Sequence, residues 1–126
     1  MREIEFRIRH RDKEWFYGVP LTQMRNGTVG FKSFNNDYYD LFADAETLGQ
    51  FTGLKDKNGA KVYEGDIIRC KVDMDLIVLV EWSEVMSAFV IREPNKIIRY
   101  CDLCFAHNIE VIGNIYDNPE LIKESE

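Results

Sequence analysis

The chain has 126 residues, 45% hydrophobic, 30% charged and 13% aromatic, with a formal net charge of −6. It is too apolar for disorder and long enough for one hydrophobic core, and its charge repels nucleic-acid phosphates at long range. Eight Phe, six Tyr and two Trp, set against sparse Ala and Leu, favour a core built on sheets.

The opening segment Ile4-Glu5-Phe6-Arg7-Ile8-Arg9 alternates apolar and charged residues. A period of two predicts a half-buried strand with Ile4, Phe6 and Ile8 inward and the charges outward. His10 to Glu14 reads as a polar turn, and Trp15-Phe16-Tyr17 as a short aromatic strand closed by Gly18 and Pro20. Asn26-Gly27 suits a type I′ hairpin turn, because both central residues must take positive φ. Val29 to Phe34 follows as a strand, and Asn35 to Asp37 as loop. Tyr38 to Leu48 carries no clear period and reads as a helical turn or irregular coil.

Leu48 to Leu54 leads into a charged turn, Lys55-Asp56-Lys57-Asn58-Gly59, from which Lys61-Val62-Tyr63 returns as a short strand. Glu64-Gly65-Asp66 turns the chain again. Ile67 to Val72 and Leu76 to Trp82 are rich in β-branched residues and read as strands separated by a polar tip at Asp73 to Asp75. Ala88 to Arg92, Ile97 to Leu103 and Ile109 to Tyr116 complete the set. Asp117-Asn118-Pro119-Glu120-Leu121 has a capping residue, then Pro, then Glu, and predicts a short C-terminal helical turn.

No repeat, low-complexity tract or linker interrupts the chain, so residues 1–126 read as a single domain. Short strands closed by tight turns must curl into a barrel or sandwich to bury a face. The succession from Glu64-Gly65-Asp66 through two strands to Trp82 and a third has the rhythm of a small SH3-like barrel, an analogy of fold that carries no function.

The residues that could carry chemistry have simpler readings. Gly53, Gly59 and Gly65 sit where turns need unusual backbone angles, Asn58 precedes Gly59 at a hairpin tip, and Asp56, Glu64 and Asp66 can accept backbone N–H groups there. A carboxylate metal site from Asp56, Glu64 and Asp66 would need the three to converge. Cys101 and Cys104 form a CxxC, and with Cys70 and His107 they spell a three-cysteine, one-histidine zinc set. Only one CxxC exists, however, and on a strand its thiols face opposite ways. Reduced thiols are the preferred reading, and no βαβ pattern supports a redox pair. Neither His10 nor His107 is placed beside a nucleophile and an orienting acid, and the glycines form no phosphate-binding loop. The sequence nominates no catalytic residue, metal site or cofactor.

No stretch near the N-terminus reaches signal-peptide length and none elsewhere reaches a membrane span. Three cysteines are a poor basis for a disulfide framework, so the expectation is a cytoplasmic chain. Among the aromatics Trp15, Phe16, Tyr17, Tyr38, Tyr39, Trp82 and Phe89, most suit a core. Trp15, Tyr38, Tyr39 and Trp82 are the candidates for an exposed partner-binding subset.

Three stretches carry a family resemblance. They are Gln50-Phe51-Thr52-Gly53-Leu54-Lys55-Asp56-Lys57-Asn58-Gly59 continuing to Val62-Tyr63-Glu64-Gly65-Asp66-Ile67-Ile68, the start Met1 to Arg7, and the end Ile109-Glu110-Val111-Ile112-Gly113-Asn114-Ile115-Tyr116-Asp117-Asn118-Pro119-Glu120-Leu121. Together they resemble the YopX family of small phage and prophage proteins. The resemblance implies a mainly β fold of coiled antiparallel sheets that include an SH3-like barrel. It also implies a bacterial host cell, and it brings no established biochemical role and no site residues. The chain departs from the family at Ile8-Arg9-His10, where a Trp-Asp pair often follows the opening strand, and across residues 18–47 and 73–105. A ligand surface shared with the family is in doubt there.

The expectation is a non-enzymatic module that binds a protein partner or assembles with itself, since exposed strand edges invite pairing. The alternative is a nucleic-acid-associated accessory protein using the basic N-terminal stretch Arg2, Arg7, Arg9, His10, Arg11 and Lys13. Glu3, Glu5, Asp12 and Glu14 interleave with those cations, as on a solvated mixed face.

Overall fold

A computed structural model of the chain describes residues 3–10, 12–23, 28–34, 39–71, 75–85, 87–92 and 108–122. These are mainly β, in two antiparallel sheets with one 3-10 turn. The chain divides into two compact units, Met1–Phe51 and Thr52–Glu126.

The first unit holds β1 (Phe6–Arg9), β2 (Trp15–Gln23), β3 (Thr28–Ser33) and the larger part of β4 (Tyr39–Lys55). Successive strands pair antiparallel, and β1 is also hydrogen-bonded to β4, with Phe6 opposite Gln50 and Arg9 opposite Asp44. Ile8, Val29 and Phe31 form its core, with Phe6, Phe16, Ala45 and Leu48 packed around them.

Strict alternation fails at β1 and the two residues before it. Arg7 is only 6% exposed and Glu5 is buried, whereas Ile4 is 56% exposed. Pairing fills the edges of a strand, and its face is covered by side chains of the neighbours: the Arg7 guanidinium lies 4.7 Å over the Trp15 ring of β2. In the turn after β1, Glu14 N–H donates to Asp12 Oδ1 and His10 Nδ1 lies 3.2 Å from the same oxygen. Both hold the exposed Asp12 carboxyl below its ordinary value.

Two further expectations are corrected here. Gly18 and Pro20 do not close β2, which runs on to Gln23. Gly18 is needed because β3 passes too close for a side chain, and Pro20 sits at a register shift in the β2–β3 ladder, where a missing N–H is tolerated. Tyr39 to Leu48 is neither helical turn nor coil but the start of the 17-residue β4. The backbone there finds partners first on β3 and then on β1, and such pairing holds a strand without an apolar period of its own.

β4 continues past Phe51 into the second unit, where it neighbours β5 (Lys61–Tyr63). β6 (Asp66–Lys71), β7 (Asp75–Ser83), β8 (Ala88–Arg92) and β9 (Ile109–Asn114) form the second sheet in the order β8-β7-β6-β9. Its core is Val62, Ile68, Val78, Val80, Ile91 and Ile109, with Cys70, Leu76 and Val111 against it. The β-branched runs seen in the sequence supply Ile68, Val78 and Val80 of this cluster, each fully buried Val or Ile contributing about 1.5–3 kcal/mol.

The 3-10 turn at Pro119–Leu121 begins with Pro, but its N-cap Asn118 makes no side-chain capping bond. The Asn26-Gly27 turn, the loop 35–37, most of the tip at 73–75 and the strand expected over 97–103 lie outside the described residues. Among the described residues no helix is long and apolar enough to cross a membrane.

Candidate functional site

The most patterned part of the sequence folds into a set of backbone locks in the second unit. Asp56 N–H donates to Ala60 O and Gly59 N–H to Asp56 O, which closes the turn after β4. The Asp56 side chain, 7% exposed, then fills the turn: Oδ1 accepts the N–H groups of Asn58 and Ala60, both at 2.9 Å. Oδ2 reaches across to β9 and accepts Val111 N–H at 2.9 Å. Lys57 N–H donates to Ile109 O, and Lys57 Nζ lies 3.8 Å from Glu110 Oε1, so turn and strand meet along several residues. Burial alone would raise the Asp56 pKa. The N–H groups of Val111, Ala60 and Asn58, with the Lys57 charge, outweigh it and hold the carboxyl below its ordinary value.

Gly53, Gly59 and Gly65 all have positive φ, at 94°, 86° and 94°. At Gly65 the backbone serves both flanking strands: its N–H donates to Val80 O, and its carbonyl accepts Ile115 N–H. Asp66 is buried, with Oδ2 accepting Tyr63 N–H at 2.7 Å, while Glu64 beside it is half-buried. Among the described residues no group of three His, Cys, Asp or Glu side chains lies close enough to hold a metal ion. Both Asp56 oxygens are spent on backbone donors, and Asp66 holds Tyr63 N–H through Oδ2. Cys70 is half-buried in β6 opposite Leu76, and Cys101, Cys104 and His107 lie outside the described residues.

A third lock joins the end of β9 to the 3-10 turn, and sequence reading missed it. Asn114 Oδ1 accepts the N–H groups of Tyr116 and Asp117, and Asn114 N–H donates to Asn118 Oδ1 at 3.2 Å. Asn118 therefore reaches back to the strand instead of capping the turn ahead of it. Asx residues at i, i+3 and i+4 (Asn114, Asp117, Asn118) were the available signal, since such side chains compete for local backbone groups. A Cβ built on Gly113 would lie 2.6 Å from Asn118 Oδ1. Asn118→Ala is expected to cost about 1 kcal/mol. Gly113→Ala should be better tolerated in that background than alone, a coupling read by a double-mutant cycle in urea.

The aromatic candidates fall in different environments. Trp15 is half-buried with one ring face covered by Arg7. Tyr38 lies outside the described residues, and Tyr39 is described only through its backbone pairing with Lys32. Trp82, on β7, is 43% exposed. It stands directly opposite Phe89 of β8, edge to face, with ring centroids 5.1 Å apart. Val85, in the hairpin joining the two strands, is 94% exposed. Along the same ladder Arg92 donates to Glu81 through Nε and Nη2, a pairing that raises the Arg92 pKa against the effect of burial.

Of the N-terminal cations, Arg7 is buried, Arg9 and His10 are half-buried, and Lys13 is exposed in the turn at φ 72°. Arg2 and Arg11 lie outside the described residues.

Comparison with known proteins gives the chain a family. The family model described as "YopX protein" matches residues 5–123. The chain belongs to the YopX family. No curated protein matches it. Among solved structures, the crystal structure of protein EF1440 from Enterococcus faecalis is similar in fold, with a TM-score of 0.60 and 21% identity over 98% of this chain and 100% of that one. The segments by which this YopX chain resembles its family include those that hold Asp56, Gly59, Gly65, Asp66, Asn114 and Asn118. Their chemistry here is the satisfaction of backbone N–H groups at strand ends.

Proposed function

We propose that this YopX protein is a non-enzymatic interaction module, binding a protein partner or a second copy of itself through the β7–β8 hairpin. The supporting observation is Trp82: a large aromatic held rigid against Phe89 yet 43% exposed, with Val85 exposed beyond it. Tryptophan is the side chain most often found at the energetic centre of protein interfaces. The resemblance to the family supports a phage or prophage origin and a working place in the bacterial cytoplasm. The family match across both compact units supports treating 1–126 as one domain. For the SH3-like reading of the stretch from Glu64 onward, support comes from β6, β7 and β8, which pair antiparallel in chain order.

The nucleic-acid reading has less to draw on, because Arg7 is buried against the Trp15 ring, away from a phosphate. Affinity for DNA or RNA that does not change with ionic strength would dismiss it, since phosphate contacts release counterions.

Sedimentation equilibrium of the full chain, with pull-down from induced host cells, tests the proposal. Trp82→Ala is expected to weaken self-association or partner capture by at least ~30-fold, the scale of an interface hot spot, with the far-UV spectrum unchanged. A monomer at all concentrations whose capture is indifferent to Trp82→Ala would overturn it.

A further inference from the structure

We propose that Asn58-Gly59 is a deamidation site held back by the Asp56 cradle, so that Asn58 is converted in proportion to the fraction of time that cradle is open. The inference is independent of the hairpin surface. Asn58 and Gly59 are exposed at the turn, and the space where a Gly59 Cβ would sit is empty to 4 Å. No side chain at residue 59 stands between Asn58 and the following amide, and glycine offers that amide least hindrance.

In the reaction, Gly59 N attacks Asn58 Cγ and loses its proton. The Cγ–Nδ2 bond breaks and ammonia leaves, closing a succinimide. Water then opens the ring. Attack at Cγ gives aspartate, and attack at the Asn58 main-chain carbonyl carbon gives isoaspartate. The net exchange is amide plus water for carboxylic acid plus ammonia, with no other reactant.

The native turn opposes the first step. Gly59 N–H is donated to Asp56 O at 3.0 Å, which directs the attacking nitrogen away from its target. The N–H groups on either side, of Asn58 and Ala60, are both held by Asp56 Oδ1. Opening the turn also strains the Asp56 Oδ2 bond to Val111 and the Lys57 bond to Ile109. Once formed, either product sets a second carboxylate beside Asp56. Isoaspartate also lengthens the main chain by one carbon between the two N–H groups that a single oxygen bridges, so the lock to β9 is not restored.

The test incubates the full chain at mildly alkaline pH, native and in urea, with peptide mapping and isoaspartate labelling over time. Conversion at Asn58 is expected to be at least ~10-fold slower in the native chain, because local opening gates it. In an Asp56→Ala variant that keeps its far-UV spectrum, the native rate should rise towards the urea rate. If that variant does not fold, wild-type amide exchange at Gly59 and Ala60 decides, and should change in parallel with deamidation across sub-denaturing urea. Equal rates in native and unfolded wild type, an unchanged rate in folded Asp56→Ala, or exchange that does not track conversion would overturn the proposal.

Discussion

Asp56→Ala lowers the unfolding free energy by about 3 kcal/mol, read as a fall in the urea midpoint at unchanged slope. The carboxylate accepts three backbone N–H groups from two parts of the chain, the turn at 58–60 and Val111 of β9. Bonds to a charged acceptor are each stronger than neutral ones, and truncation leaves the Val111 donor in a partly buried ladder with no oxygen to meet it. Asp56→Asn is the sharper variant because its shape is nearly unchanged. An amide has one acceptor oxygen where the carboxylate has two, so its NH2 group must face an N–H donor, and a loss of about 2 kcal/mol is expected. The same bonds set a pH dependence. The folded-state pKa lies below the unfolded one, so this stabilisation is present above the unfolded value of about 4 and is lost as pH falls through the folded value. Urea titrations between neutral and strongly acid pH should show that decline in the wild type and a shallower one in Asp56→Ala. Parallel curves would mean that the Asp56 carboxylate does not carry it.

Gly18→Ala is expected to cost about 3 kcal/mol or more, because overpacking here meets main chain rather than a side chain. Gly18 lies in the middle of β2, paired with Phe6 on one side and Ser33 on the other. A Cβ would sit 1.9 Å from the carbonyl oxygen of Lys32 and 2.9 Å from Ser33 Cα. No rotamer change relieves that contact, so β3 must move and its ladder to β2 must loosen, the bond from Phe34 N–H to Tyr17 O included. Gly53 is the control: a Cβ there meets nothing within 4 Å, and only its φ of 94° disfavours alanine, at about 1–2 kcal/mol. Comparing the two variants in urea separates crowding from backbone strain. If Gly18→Ala were the milder change, β2 and β3 could not approach as closely as the structure places them.

Much of the second unit was legible from composition and punctuation. The runs Ile67 to Val72 and Leu76 to Trp82 announced β6 and β7 because β-branched residues filled both faces, which are buried at Ile67, Ile68, Val78, Leu79 and Val80. The Asn-Gly and Gly-Asp pairs marked turns because positive φ has few tenants. The first unit was harder to read. Its opening strand alternates faithfully, yet the buried charges are Glu5 and Arg7 and the exposed apolar residue is Ile4. β4 was hidden because its first half takes its hydrogen bonds from β3 and β1 and needs no apolar period.

The candidate surface shows the same division. Trp82 stood out by residue type, but its partner Phe89 emerged only from the pairing of β7 with β8. Likewise, Asp56 was recognisable as a turn residue, while its bond to Val111 spans 55 positions of chain. Local preferences, which depend on a few neighbouring side chains, were therefore determined by the sequence by itself: β class, turn positions and the glycines they require. Strand neighbours decided the rest, namely which charges are buried, where β4 begins and which carboxylate oxygen meets β9, because backbone hydrogen bonds between distant segments leave no period in the residues that make them.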